Sequence, residues 1–174
     1  MAKQTIIVMS DSHGDRGVVE RIRDFYLGKV DAIFHNGDSE LQADDSVWQG
    51  IQVVAGNMDF FAGFPDRLVT DVKGLRVAQT HGHLYNLHFD FSRLDLWAQE
   101  EDADICLYGH LHVPNAFMMG KTLFLNPGSV SQPRGPIAER LYAKIEVTEE
   151  VFKVDFMTLQ HEIYPGLSKE FSRL

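Results

Sequence analysis

Thr5-Ile6-Ile7-Val8-Met9-Ser10-Asp11-Ser12-His13 joins an apolar run to an aspartate and a histidine two residues apart, and this junction decides how the chain reads. It recurs four times. Asp38 follows the apolar residues 32–34, Asn57 follows 51–54, His81 follows 77–79, and His110 with His112 follow 105–108. Rich in Ile, Val and Phe, the five runs are expected to be strands buried on both faces. In open α/β sheets the binding crevice lies beyond the carboxyl ends of the strands, so five such ends on one edge would build a single site. Within the pairs Asp11/His13 and His110/His112, extended backbone would point both side chains the same way.

Carboxylate, amide and imidazole ligands without a cysteine suit Mn²⁺, Fe, Zn²⁺ or Ni²⁺, and the set is enough to hold two divalent cations. A hydrolytic dinuclear centre is the expectation.

A chain of 174 residues, 44% of them hydrophobic, is long enough for one domain with a sizeable core, expected to span 1–174. Cys106, the single cysteine, cannot form an internal disulfide and lies in an apolar run, where a small buried side chain is expected. Met1-Ala2-Lys3-Gln4 leads into the first strand without a signal-like apolar stretch, and no segment approaches the ~20 residues needed to cross a bilayer. A soluble cytoplasmic protein, independent of membranes, is expected. The net charge of −9 argues against a stable nucleic-acid complex, because phosphate contacts want clustered Lys and Arg. Two bound cations would still attract one phosphate group, which favours a small phosphoester as partner.

Asp15 is placed to cap a helix whose Val18, Ile22, Phe25 and Tyr26 share one face. Lys73-Gly74 sits between alternating runs in residues 68–79 and predicts a hairpin, hence a mixed sheet. A second helix is expected over 91–101, with Leu94, Trp97 and Ala98 inward. Residues 117–125, 141–147 and 151–158 read as consecutive hairpins forming a second sheet packed on the first. The core is expected to end at 158, and residues 159–174, with Pro165-Gly166, to form an irregular tail.

In order, Asp11-Ser12-His13, Gly37-Asp38, Gly56-Asn57, His81-Gly82-His83 and Gly109-His110-Leu111-His112 resemble the signature of the calcineurin-like metallophosphoesterases. The compact length and Asn126-Pro127-Gly128-Ser129 resemble the small YfcE-type phosphodiesterase branch, whose relatives include the retromer scaffold subunit. The resemblance implies an α/β sandwich of two mixed sheets packed face to face with flanking helices. It also implies two divalent metal ions, Mn²⁺ being favoured. Asp11, His13 and His112 would hold one metal, Asn57, His81 and His110 the other, and Asp38 would bridge them. The chemistry implied is phosphodiester hydrolysis by in-line attack of a metal-bridging hydroxide, with two cations roughly 3.5–4 Å apart. Asn57 would help offset charge on the phosphoryl oxygens. A metal-binding protein-interaction scaffold and a phosphomonoesterase are the alternatives, and self-association into a homo-oligomer is left open.

One position departs from the wider family. Many relatives carry a histidine after the Gly-Asn pair, thought to protonate the leaving group, where this chain has Met58, so esters whose leaving group needs little protonation are favoured. His83 is the substitute candidate for general acid or phosphate contact, an orienting or exposed role being its alternative. His35 and Asn36 either orient ligands or satisfy loop carbonyls. His88 and His161 carry no signal of their own. Ser129 reads as a loop-stabilising hydroxyl, and Arg134 as a phosphate contact or a surface ion pair. Phe60, Phe61 and Phe64 could wall a pocket or an oligomer contact, with core packing the leading expectation.

Overall fold

Eleven strands and two helices build four layers, a helix on the outer face of each of two packed sheets, in a computed structural model describing residues 3–174. Met1 and Ala2, which carry part of the reading of the amino terminus, lie outside the described residues. The strands are β1 (Gln4–Met9), β2 (Ala32–His35), β3 (Gln52–Val53), β4 (Arg67–Val72), β5 (Leu75–Thr80), β6 (Ile105–Leu107), β7 (Asn115–Met119), β8 (Thr122–Asn126), β9 (Leu141–Val147), β10 (Val151–Thr158) and β11 (Lys169–Ser172). The helices are α1 (Arg16–Tyr26) and α2 (Ser92–Glu100).

Alternation along β1 explains why its run is apolar throughout. Ile6 and Val8 face the space between the sheets, whereas Ile7 and Met9 face α1, and all four are buried. Fully burying such a side chain stabilises by about 1.5–3 kcal/mol, so a strand covered on both faces is strongly anchored. Asp15 caps α1 by accepting the Val18 N–H at 3.1 Å, and Val18, Val19, Ile22 and Tyr26 turn inward. Phe25 does not join them. It is half exposed and stacks on His161, with ring centroids 3.8 Å apart. In α2 the buried residues are Leu94, Trp97 and Ala98, as expected, and they pack on β5, β6 and β8. No helix of the described residues is long and apolar enough to cross a membrane.

The sheet orders are β11-β10-β9-β1-β2-β3 and β4-β5-β6-β8-β7, both mixed. This corrects the expectation that the carboxyl-terminal hairpins form a sheet of their own. The hairpin β7–β8 joins β6 in parallel, while β9 crosses back to pair antiparallel with β1. The five ligand-bearing strand ends therefore lie on two sheets rather than on one edge of one sheet. Nor is every run covered on both faces, since Gln52 of β3, an edge strand, is exposed. The tail is not wholly irregular either, because β11 pairs with β10 and Ile163 bridges Met157.

Candidate metal centre

Six parallel strands, β1, β2 and β3 in one sheet and β5, β6 and β8 in the other, release their loops at a common end. Cross-sheet hydrogen bonds hold those ends together. The Gln79 amide donates to His35 O at 2.8 Å and to Asn36 Oδ1 at 3.1 Å, and Asn36 Nδ2 donates to Tyr108 O at 2.8 Å. Ser129 Oγ donates to Asp11 O at 2.7 Å and accepts the N–H groups of Ser131 and Gln132, the stabilising role expected of it.

Asp11, His13, Asp38, His110 and His112 all have positive φ, between 43° and 70°. The extended backbone expected within the Asp11/His13 and His110/His112 pairs is therefore absent; the side chains converge through left-handed turns. Each such residue costs roughly 1–2 kcal/mol of backbone strain, and strain of this kind collects at sites with a task. Glycine is needed where these turns crowd together. A Cβ on Gly56 would strike the Asp38 carboxylate, and one on Gly109 would strike Ser10 Oγ and Asp11 Oδ2.

The turns bring ligand atoms within reach of one another. Asp11 Oδ1 lies 3.1 Å from His112 Nε2, 3.7 Å from His81 Nε2 and 3.8 Å from His13 Nε2. Asp38 Oδ2 lies 3.3 Å from His81 Nε2 and 4.0 Å from His13 Nε2, and Asp38 Oδ1 accepts the Met58 N–H. Two groups of three form compact cages, Asp11 with His13 and His112, and Asp11 with Asp38 and His81. Asn57 Oδ1 and His110 Nδ1 face each other at 3.1 Å, and the His110 ring lies 5.2 Å from that of His81.

These atoms fit a cation better than they fit one another. Asp11 Oδ1 and His81 Nε2 are buried without a hydrogen-bond partner among the described residues, a costly state for polar atoms. Three histidines are oriented through their other nitrogen: His13 Nδ1 on Glu40 Oε2, His81 Nδ1 on Asn36 O, and His112 Nδ1 on Gln132 O. If each Nδ1 carries the proton, the Nε2 lone pairs of His13 and His112 face each other at 3.2 Å. Outer contacts of this type fix tautomer and ring orientation in metal sites.

The electrostatics agree. Burial pushes the Asp38 carboxyl up, but the His81 imidazole and the Met58 N–H outweigh it and set the pKa at about 2. Burial likewise raises Asp11, and the adjacent His112 and His81 rings bring it below the ordinary value. Burial opposes charge on His81, yet Asp38 and Asp11 draw its pKa upward. His110 falls to about 4 through burial and the neighbouring His81.

His83 stands apart. It is half buried, its ring centroid is 5.5 Å from that of His81, its Nδ1 has no hydrogen-bond partner among the described residues, and burial with the nearby His81 lowers its pKa. It lines a cavity beside the cages instead of the one into which His13, Asp38, His110 and His112 open, which Arg134 also lines. Sequence reasoning passed over Asp59, Gln79 and Glu40. Asp59 accepts three backbone N–H groups, from Asp38 at 2.8 Å, Glu40 at 2.9 Å and Gly56 at 2.7 Å, and so ties the Asp38 loop to the Asn57 loop. Its place two residues after Asn57 was a usable signal; for Gln79 there was none. Cys106 is buried as expected, and burial pushes its thiol pKa up. The expectation of core packing for the phenylalanine group fails at Phe60 and Phe61, which are exposed, and holds in part for Phe64, which lies edge-on to Trp48.

The family model for the calcineurin-like phosphoesterase superfamily domain matches residues 5–150. The probable metallophosphoesterase YsnB of Bacillus subtilis is 33% identical over 129 residues, 74% of this chain and 76% of that protein. A conserved uncharacterized protein of Streptococcus pneumoniae, a predicted phosphoesterase, superposes with a TM-score of 0.98 at 67% identity over 99% of each chain. At the level of fold alone, Vacuolar Protein Sorting 29 from Cryptosporidium parvum superposes with a TM-score of 0.73 at 17% identity, over 98% of this chain and 96% of that one.

Proposed function

The chain belongs to the calcineurin-like phosphoesterase superfamily, and from that premise we propose that it is a dinuclear-metal-dependent phosphodiesterase acting on small phosphodiesters. The observation that carries this reading is the pair of buried ligand atoms without a hydrogen-bond partner among the described residues, Asp11 Oδ1 and His81 Nε2, at the centre of oriented imidazoles. In this reading Asp11, His13 and His112 would hold one cation and Asn57, His81 and His110 the other, with Asp38, 3.3 Å from His81 and 4.0 Å from His13, as the residue that would serve both, beside Asp11, which is common to the two compact groups. When bound, two divalent cations acidify water and clamp the attacking and departing oxygens of an in-line displacement, and Mn²⁺ is the favoured ion.

The chain's own residues prepare that chemistry. Glu40, Asn36 O and Gln132 O hold the rings of His13, His81 and His112 in place, so little reorganisation is needed. Asn57 lies where its amide can offset charge on a phosphoryl oxygen, and Arg134 lines the same cavity, able to grip two phosphate oxygens at once. His83 serves as phosphate contact or acid from the side. Where proton donation is weak, esters with good leaving groups are preferred, in keeping with Met58. A cytoplasmic site of action belongs to the same reading.

The test is hydrolysis of bis(p-nitrophenyl) phosphate by metal-stripped protein refilled with Mn²⁺, beside Asp38→Asn and the matching aryl monoester. Diester turnover that requires both Mn²⁺ and Asp38 is expected. Faster monoester turnover would make it a phosphomonoesterase, and silence with every divalent metal would favour a metal-binding interaction scaffold.

A further inference from the structure

Beside the cage lies a second cavity of about 390 Å³, whose walls include Asn57, Phe60, Phe61, Phe64, His83 and Leu84. Three of these side chains are placed at a disadvantage. Phe60, Phe61 and Leu84 are 79%, 101% and 54% exposed, and Phe61 also holds a left-handed backbone with φ 61°. A bulky aromatic residue is rarely found in that conformation, and full exposure removes the burial that would offset it. The loop carrying them is nevertheless held, since Ala62 N–H donates to Asp59 O and Ala43 N–H donates to Ala62 O. Folding alone gives no reason for two adjacent phenylalanines here. Clustered exposed apolar side chains beside a cleft mark a binding surface.

Asn57 identifies the occupant, because it lines this cavity and also the neighbouring one of about 310 Å³ shared by His13, Asp38, His110, His112 and Arg134. The two cavities differ in chemistry. The polar cavity contains Arg134 beside His13, Asp38, His110 and His112, whereas among the described residues no Lys or Arg lines the aromatic one, to which Asp59 and Asp66 add negative charge. An anion suits the Arg134 side of Asn57, whereas the phenylalanine side, with Asp59 and Asp66 on its walls and His83 bordering the cages, does not favour one. A group covalently joined to the phosphate, uncharged and planar, suits the phenylalanine side, and a cavity of this size accepts one ring system. Building on the phosphodiesterase reading, we infer that the Phe60/Phe61/Leu84 cavity binds an aromatic ester arm of the substrate, making aryl or nucleobase-bearing phosphodiesters the preferred class.

The experiment compares wild type with the double variant Phe60→Ser/Phe61→Ser on two Mn²⁺-dependent substrates, p-nitrophenyl phenyl phosphate and p-nitrophenyl methyl phosphate. A roughly tenfold fall in kcat/KM is expected in the variant. A fall for the phenyl ester alone assigns the cavity to the retained arm, and an equal fall for both assigns it to the departing arm. Unchanged kcat/KM on both overturns the inference. Saturation-transfer NMR on the metal-stripped protein supplies a readout independent of turnover: ring protons of diphenyl phosphate should receive saturation from wild type and lose it in the variant, while dimethyl phosphate shows little with either. If no diester is hydrolysed but this ring contact persists and depends on the phenylalanines, the phosphodiesterase reading fails and the aromatic subsite stands. Equal saturation in wild type and variant removes the subsite whatever the turnover. Loss of a dimer in sedimentation of the variant, with kcat/KM unchanged, would give the patch to a second copy of the chain and also refute the subsite.

Discussion

Removing the Asp59 carboxylate tests whether one buried acid holds the candidate centre together. Its Oδ2 accepts the N–H groups of Asp38 and Gly56 and its Oδ1 that of Glu40, so Asp59→Ala strands three backbone donors at once. Hydrogen bonds to a charged acceptor contribute about 1.5–3 kcal/mol each, and an orphaned buried donor costs about 1–3 kcal/mol. Asp59 is only 5% exposed but also lines the aromatic cavity, so water can reach part of the vacated space and the lower end applies, about 3 kcal/mol in all. Asp59→Asn can keep its oxygen at the Oδ2 position and retain two bonds, but it turns an NH₂ toward the Glu40 N–H; about 1–2 kcal/mol is expected. Urea unfolding of the metal-stripped protein reads both values. For a chain of this length, the alanine variant should melt about 6–12 °C below wild type. Because the same acid sets the Asp38 turn, Mn²⁺ affinity should also fall by about 10–100-fold. An alanine variant within about 0.5 kcal/mol of wild type, with Mn²⁺ affinity unchanged, would refute the argument.

His35 predicts acid sensitivity in the metal-stripped protein. Its Nδ1 accepts the Gly37 N–H while Nε2 meets Ser12 Oγ, and burial sets its pKa at about 4 against an ordinary 6.5. The folded state therefore binds fewer protons than the unfolded chain between those values. Its contribution is complete above pH 6.5 and declines by about 3 kcal/mol as pH falls to 4, and urea titrations should show that slope flattened in His35→Gln. Metal binding should weaken in acid, because His81, its pKa raised by Asp38 and Asp11, must release a proton to a cation. Chelator competition should show affinity level at alkaline pH and falling by about tenfold per pH unit below the His81 value; a flat profile down to pH 5 would count against His81 as a ligand. Ile145→Ala, at a fully buried position between the sheets, should lose about 2–5 kcal/mol in unfolding while leaving Mn²⁺ affinity as it was.

Most of the local structure was legible because it depends on near neighbours. The run at residues 5–9 announces a strand by composition, Asp15 announces a helix start by its oxygen, and Lys73-Gly74 announces a tight reversal. The candidate ligands could be read because each one follows such a run, and the structure gathers all seven at one end of the molecule. The role of Asp59 is not legible in its own loop, since it depends on the Asp38 and Glu40 amides some twenty residues away.

By itself, the order of apolar runs and polar ends determined that this is an α/β chain with a ligand-rich face, because alternation and strand-end position are properties of neighbouring residues. The tertiary structure alone decided which sheet each hairpin joins, that the tail contributes β11, and that Phe25, Phe60 and Phe61 stay at the surface. It also decided that Asp11, His13, Asp38, His110 and His112 converge through left-handed turns rather than extended backbone. Pairing is chosen by edges distant in sequence, and strained turns persist only where packing and hydrogen bonds from both sheets over-determine them.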